Sequence, residues 1–218
     1  MVKRLGRGAH EHMIGAMNIV VGITGASGAL YAQRFVQGLV AGGVQVHLVV
    51  SPNGKRLLHD ELGMEGVDLR TLAGREEHGV TLYGYKDVGA KIASGSFLHD
   101  GMVIVPCSSN TLGEIAHGLG GNLISRAAAV CLKERRRLVV CHREMPLSAI
   151  DVGNYKILTD AGAIVAPANP GLYLNPTTVG EIVDFVAGKL LDLVGVKHGM
   201  ETRWEPGKNA TRGRAIRR

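Results

Sequence analysis

The 218-residue chain suits one domain, with 45% hydrophobic residues for a core and only 4% aromatics. Its three cysteines, Cys107, Cys131 and Cys141, are odd in number and form no CxxC, which argues against a disulfide framework and for a reducing, cytoplasmic setting. The formal charge of +6 sits at the ends: residues 197–218 carry +5, residues 1–16 carry +2, and the middle is −1. A nucleic-acid-binding body would carry its basic face on the folded part. The basic ends read as solvated extensions, with weak RNA or membrane contact by the tail as the alternative. No apolar run reaches the roughly 18–20 residues of a membrane helix, and the head lacks the hydrophobic region of a signal peptide. Neither a nucleic acid nor a membrane is an expected partner. Met17 is the natural start of the folded part. The expected organisation is a flexible extension over 1–16, one domain over 17–196, and a basic tail over 197–218.

In chain order, the near-continuous apolar run 18–24 predicts a buried parallel strand. Apolar residues at helical spacing over 27–42 predict a helix stopped at Gly42-Gly43. A second strand follows at 44–50 and a helix at 52–62, then a glycine-rich stretch without clear period to about 92. Strands are expected at 101–108, 137–142 and 162–168. Helices are expected at 109–118, 121–134, 148–161 and 177–195, the last opened by Thr177 or Thr178. Short apolar strands alternating with helices mean a doubly wound, mostly parallel, Rossmann-like α/β domain. Ligands of such sheets bind beyond the carboxyl ends of the strands. Those ends are polar here: Thr24-Gly25-Ala26-Ser27, Ser51, Cys107 to Thr111, His142-Arg143-Glu144 and Asn169-Pro170-Gly171. Any one of them is explained by turn chemistry alone; five on one edge are not.

The first turn, GITGASG (22–28), suggests a phosphate grip. Its glycines are Gly22, Gly25 and Gly28, not G-x-G-x-x-G, and the second strand ends at Ser51 where a dinucleotide fold places an acid. The nucleoside triphosphate pattern G-x-x-x-x-G-K-[ST] is absent as well. What remains is a turn with a hydroxyl at Ser27 opening a helix, whose free N–H groups favour an anion. Ser108, Ser109 and Thr111 make a second hydroxyl-rich helix start. Two such loops suit a mononucleotide such as FMN and do not choose a chemistry. A second cluster mixes Arg126, Lys133 and Arg143 with Glu144. For Arg135 to Arg137 a solvated charged face is sufficient. Glu144 follows an apolar strand and, beside several cations, could exchange a proton in phosphate chemistry.

The segments GITGASG, ASGSF, VPCSSNTL, NLISRAAAVCLKERRRLVV, HREMPLS and PANPGLY occur in order over about 17–196, and the chain resembles the flavin prenyltransferases, the UbiX family. The resemblance implies reduced FMN and dimethylallyl phosphate as co-substrates, joined at flavin N5 and C6 without a metal. The prenylated FMN product would serve a UbiD-type decarboxylase. It also implies a cytoplasmic homododecamer with sites between subunits. Residue by residue, Gly25, Ala26 and Ser27 match the first flavin loop and Ser51 a flavin contact. Ser108, Ser109, Asn110 and Thr111 match the loop over the flavin, and Arg143 matches a flavin-binding arginine. Arg126, Lys133, Glu144, Tyr173 and Lys189 match the prenyl phosphate site; Ser94, Gly95 and Ser96 fall near the isoprenoid pocket. Trp204 matches an aromatic placed over the site. The implied roles are phosphate stabilisation for Arg126, Lys133 and Lys189, proton donation for Glu144, and a hydrogen bond from Tyr173. Ser27 would stand near N5. Because the flavin is the nucleophile, Cys107 is expected to be a packed residue. Two departures stand out: Lys189 replaces a common arginine and loses its bidentate fork, and Leu174 replaces a common histidine. Two alternatives carry different chemistry. One is an FMN-dependent cysteine decarboxylase, disfavoured because PANPGLYLNP replaces that group's Pro-x-Met-Asn-x-x-Met-Trp. The other is a non-catalytic flavin-binding accessory subunit of a decarboxylase, disfavoured by Lys133, Glu144 and Tyr173.

Overall fold

The apolar runs become six parallel strands: β1 (Asn18–Ile23), β2 (Gln45–Val50), β3 (Val80–Tyr83), β4 (Gly101–Cys107), β5 (Leu138–His142) and β6 (Ile164–Val165). In the computed structural model, which describes residues 16–202, they pair in the order β3-β2-β1-β4-β5-β6. Among the described residues seven α-helices cover the sheet: α1 (Ala29–Ala41), α2 (Pro52–Leu62), α3 (Leu69–Ala73), α4 (Ser109–Ala116), α5 (Leu123–Lys133), α6 (Ala149–Asp160) and α7 (Val179–Val194). This is a single doubly wound domain, as expected.

Period-two alternation divides the core. Ile19, Val21 and Ile23 of β1 face α1, α2, α3 and α7, together with Leu48, Val103 and Cys141. Val20 faces the other way with Val49, Met102, Ile104 and Val140, against α4 and α5. The strands are buried on both faces because helices lie on both, hence their lack of a polar side. On the first face Gly38 of α1 lies against Leu191 of α7. The chain stays against α7 as far as Thr202, which approaches Gly188 and is 8% exposed.

The structure departs from the expected elements in three places. α1 begins at Ala29, not 27, because Gly28 takes φ 131, outside the helical range. The expected strand over 162–168 is only two residues long. Its backbone still follows β5, with Ala166 N bonded to Val140 O and Ala168 N to His142 O, each at 2.9 Å. Pro167 has no N–H to extend the ladder. The stretch to 92 contains α3, β3 and a 3-10 turn at Lys91–Ala93. It escaped notice because β3 is an edge strand with Thr81 and Leu82 exposed, and five-residue α3 is too short to show a period. The 1–15 part of the N-terminal extension, Trp204 and the rest of the basic tail from 203 lie outside the described residues.

Candidate flavin site at the carboxyl edge of the sheet

The strand order reverses between β1 and β4, so the crevice beyond their ends is the topological switch point. Thr24, 1% exposed, closes its floor. Its hydroxyl donates to Pro106 O at 2.9 Å and accepts from Ser108 N at 2.8 Å, clasping the β1 and β4 loops together. Gly25 follows in a space where any side chain would collide with Asn53. Ala26 is buried and Ser27 exposed. Among the described residues no hydrogen bond engages the amides of Gly25, Ala26 or Ser27. The start of α1 itself is occupied: Glu61 accepts from Gly28 N at 3.0 Å and Ala29 N at 2.8 Å. The expectation of free N–H groups there is corrected accordingly; the open amides lie one step earlier. Glu61 had no sequence signal, since it comes from the far end of α2.

The hydroxyls of the next two strand ends have local work. Ser51 caps α2 by accepting from Gly54 N at 2.9 Å. Gly54 in turn sits under Ile23 O, where a Cβ would come within 2.5 Å. Ser108 caps α4, accepting from Thr111 N at 3.4 Å. Asn110 leans along α4 to donate to Glu114 at 2.9 Å. Such caps contribute about 1 kcal/mol each and explain these residue types without a ligand; a capping oxygen keeps a second lone pair for one.

At the end of β5 the side chains alternate. His142, 1% exposed, turns to α4 and α6, where its ring nitrogens meet the Ser109 hydroxyl at 3.0 Å and the Tyr155 hydroxyl at 2.7 Å. Arg143 turns to the α1 side, where its charge acts on the Tyr31 hydroxyl together with that of Glu61. Burial raises Tyr31, and the Arg143 charge opposes that rise. Among the described residues, Arg143 Nε is buried without a partner. An unpaired buried donor costs about 1–3 kcal/mol, so its place at the carboxyl edge of the sheet calls for an acceptor from a ligand. Glu144 is exposed and accepts from Met145 N at 3.1 Å. The thiols are not poised for attack: burial drives Cys107 well up and pushes Cys131 and Cys141 to about 12. The open amides of 25–27, the hydroxyl-lined loops and the orphan guanidinium Nε fit an anionic, hydrogen-bonding group such as FMN.

The remaining candidates do not gather in one chain. α5 starts at the same edge, where Ile124 packs on Gly22, so Arg126 lies within a turn of the crevice. Lys133, seven residues on, is about 10 Å further down the axis. It lies 3.4 Å from Glu134 and beside Gly95, next to Ser94 and Ser96, whose hydroxyls bond at 2.8 Å. Tyr173 and Lys189 are across the sheet. The Tyr173 ring meets Phe185 of α7 edge-on, its hydroxyl donates to Thr202 O at 3.3 Å, and exposed Lys189 is one turn beyond Phe185. A cavity of about 1110 Å³ between α1, α7 and 197–201 is lined by Arg34, Phe185, His198 and Met200 and by none of the residues matched to the flavin or the prenyl phosphate.

Comparison with known proteins identifies the family. The flavoprotein family profile matches residues 7–191. The chain is 49% identical to the flavin prenyltransferase UbiX of Thermoplasma acidophilum over 188 residues, 86% of this chain and 100% of that protein. The crystal structure of AnUbiX (PadA1) with FMN and dimethylallyl pyrophosphate superposes with a TM-score of 0.82 at 36% identity, covering 89% of this chain and 100% of that one. A dodecameric FMN-dependent UbiX-like decarboxylase from Escherichia coli O157:H7 gives 0.78 at 38% identity, covering 87% and 100%. With a family match over most of its length and near-half identity to a complete relative, this chain belongs to the UbiX flavin prenyltransferases of the flavoprotein family.

Proposed function

We propose that the protein transfers the dimethylallyl group of dimethylallyl phosphate to N5 and C6 of reduced FMN, releasing phosphate and yielding prenylated FMN for a UbiD-type decarboxylase. The observation that carries the flavin half is the buried Nε of Arg143, unpartnered among the described residues, on the same sheet edge as the open amides of Gly25, Ala26 and Ser27. Reduced FMN, when bound, supplies the nucleophilic nitrogen and carbon. The chain holds and orients. Gly25 to Ser27, Ser51 and Ser108 to Thr111 line the flavin, and Arg143 donates to it. Ser27 stands nearest the reacting nitrogen. Arg126, Lys133 and Lys189 stabilise the charge left on the departing phosphate. Glu144 hands that phosphate a proton, Tyr173 donates a hydrogen bond to it, and Ser94 and Gly95 border the five-carbon chain.

Arg126 and Lys133 lie on one side of the sheet and Tyr173 and Lys189 on the other, so we infer that a neighbouring copy completes the phosphate site. The dodecameric E. coli relative supports a homo-oligomer. So does the apolar surface at Met145, Leu147, Ile150, Val152 and Ile157, with Met145 86% exposed and Ile150 74%. A cytoplasmic dodecamer is the form we propose. The test is anaerobic incubation with reduced FMN and dimethylallyl phosphate, followed by mass spectrometry of the flavin. A five-carbon increment is expected. Unmodified flavin with both the phosphate and the pyrophosphate would overturn the reading.

A further inference from the structure

Beneath the loop assigned to the flavin lies a buried polar chain of which only Ser109 has a role above. His142 is wedged between α4 and α6, whose N-terminal ends both face the crevice. Ser109 is the first residue of α4; Asp151 and Tyr155 are one turn apart on α6. The Asp151 carboxylate accepts from Ser148 N at 3.0 Å and Ser148 Oγ at 2.6 Å, and its charge acts on the His142 ring. These bonds, Ser148 first, hold its carboxyl down to about 2. The His142 ring links the Ser109 hydroxyl, 3.0 Å from Nε2, to the Tyr155 hydroxyl, 2.7 Å from Nδ1. In the neutral ring one nitrogen donates and the other accepts, so one of the two hydroxyls donates to the ring and the other accepts from it, and both are satisfied by a single buried side chain.

We propose that His142 is a positioning residue of the flavin site, fixing the Ser109 hydroxyl and through it the Ser108–Thr111 loop against the flavin. The proposal rests on the reading that this edge holds FMN. It also changes the part given to Ser109, whose hydroxyl is committed inward, so that Ser109 serves the flavin by holding the loop.

Protonation of His142 makes both ring nitrogens donors, so whichever of the Ser109 and Tyr155 hydroxyls donates to the neutral ring must swing its proton away. The groups facing the ring are Asp151 and Tyr155 from α6, Ser109 from α4, and Arg143 and Glu144 from the strand end. Behind them stand the neutral Cys107 and Cys141 thiols and Glu114, which is held by Asn110 and Asn122. Burial lowers His142 below its ordinary 6.5, opposed by Asp151 and Glu144. The relay is therefore intact at neutral pH and is lost as pH falls below that range.

The experiment is FMN titration of the full chain by flavin fluorescence from pH 5 to 8, with His142→Gln, His142→Phe, Ser109→Ala and the double variant His142→Phe/Ser109→Ala. Circular dichroism checks the fold of each. Wild type should lose affinity on the acid side. His142→Gln, whose amide can still bond Ser109 but does not titrate, should bind near wild type at pH 7.5 and lose that limb. His142→Phe and Ser109→Ala should each weaken FMN about tenfold, the loss of one buried hydrogen bond. The double variant should be no worse than either, because one chain is broken once. Additive losses, an acid limb that persists in His142→Gln, or unchanged affinity in His142→Phe would overturn the proposal alone. A wild-type chain that binds no FMN would overturn the proposed function with it.

Discussion

The carboxyl edge of the sheet and the cation set on its flanks are built differently. At the edge, Thr24 bonds both Pro106 and Ser108, Ser51 and Ser108 cap helices, and His142 joins α4 to α6. This region is organised by one chain before any ligand arrives. Arg126, Lys133 and Lys189 are exposed side chains, and the sheet divides them into two groups. On the proposed reading the first is a preorganised flavin cradle and the second a phosphate site completed by another copy, two different solutions within one fold. The first gains from rigidity, while the second couples chemistry to assembly.

Substitutions can break that comparison at either end. The largest effect is expected at Glu144, which has no buried bond to lose. Glu144→Gln should slow turnover about 100-fold while flavin titration stays near wild type; wild-type rates would remove its proton role. Arg143→Ala should weaken FMN about 10- to 100-fold, the worth of a charge-assisted bond, with little loss of fold, since it deletes an atom that is already unpaired. Gly54→Ala tests the rigidity of the cradle. Its Cβ would press on Ile23 O, a backbone atom that cannot swing aside, and should cost about 1–3 kcal/mol in denaturant unfolding.

The smallest and most graded effect is on pH. His47, lowered to about 4 chiefly by burial, and His99 and His142, also lowered by burial, stay neutral when folded. The unfolded chain takes up protons below about 6.5 that the folded chain refuses, so stability should fall as pH drops from there toward about 4. Denaturant midpoints measured across that range should decline steadily. A flat profile would mean that the three rings are not buried neutral.

Much of the edge was legible in the sequence because parallel strands announce themselves by apolar runs and their ends by Gly, Ser and Asn. The doubly wound class and the cluster at 24–28, 51, 108–111 and 142–144 followed from that. What was not legible was long-range pairing. Glu61 meets the start of α1 from 32 residues away, and Tyr155 reaches His142 from the next helix. Neither residue type is unusual for its own helix, so no local pattern marks it. Ser51 and Ser108 show a further limit: a capping serine and a ligand-binding serine look alike until the amides they accept from are seen. The separation of Lys133 from Lys189 was equally hidden, because chain order says nothing about which face of the sheet a helix covers.

The division of the phosphate site between copies is tested most directly by mixing two defective chains. Lys133→Ala and Lys189→Ala, assayed separately by five-carbon transfer to reduced FMN, should each be nearly inactive. Co-expressed in equal amounts, they should recover about a quarter of wild-type activity, since random assembly gives that share of sites an intact lysine from each side. Co-expressed variants no more active than either alone would contradict the account, because a site made within one chain always keeps one of the two defects.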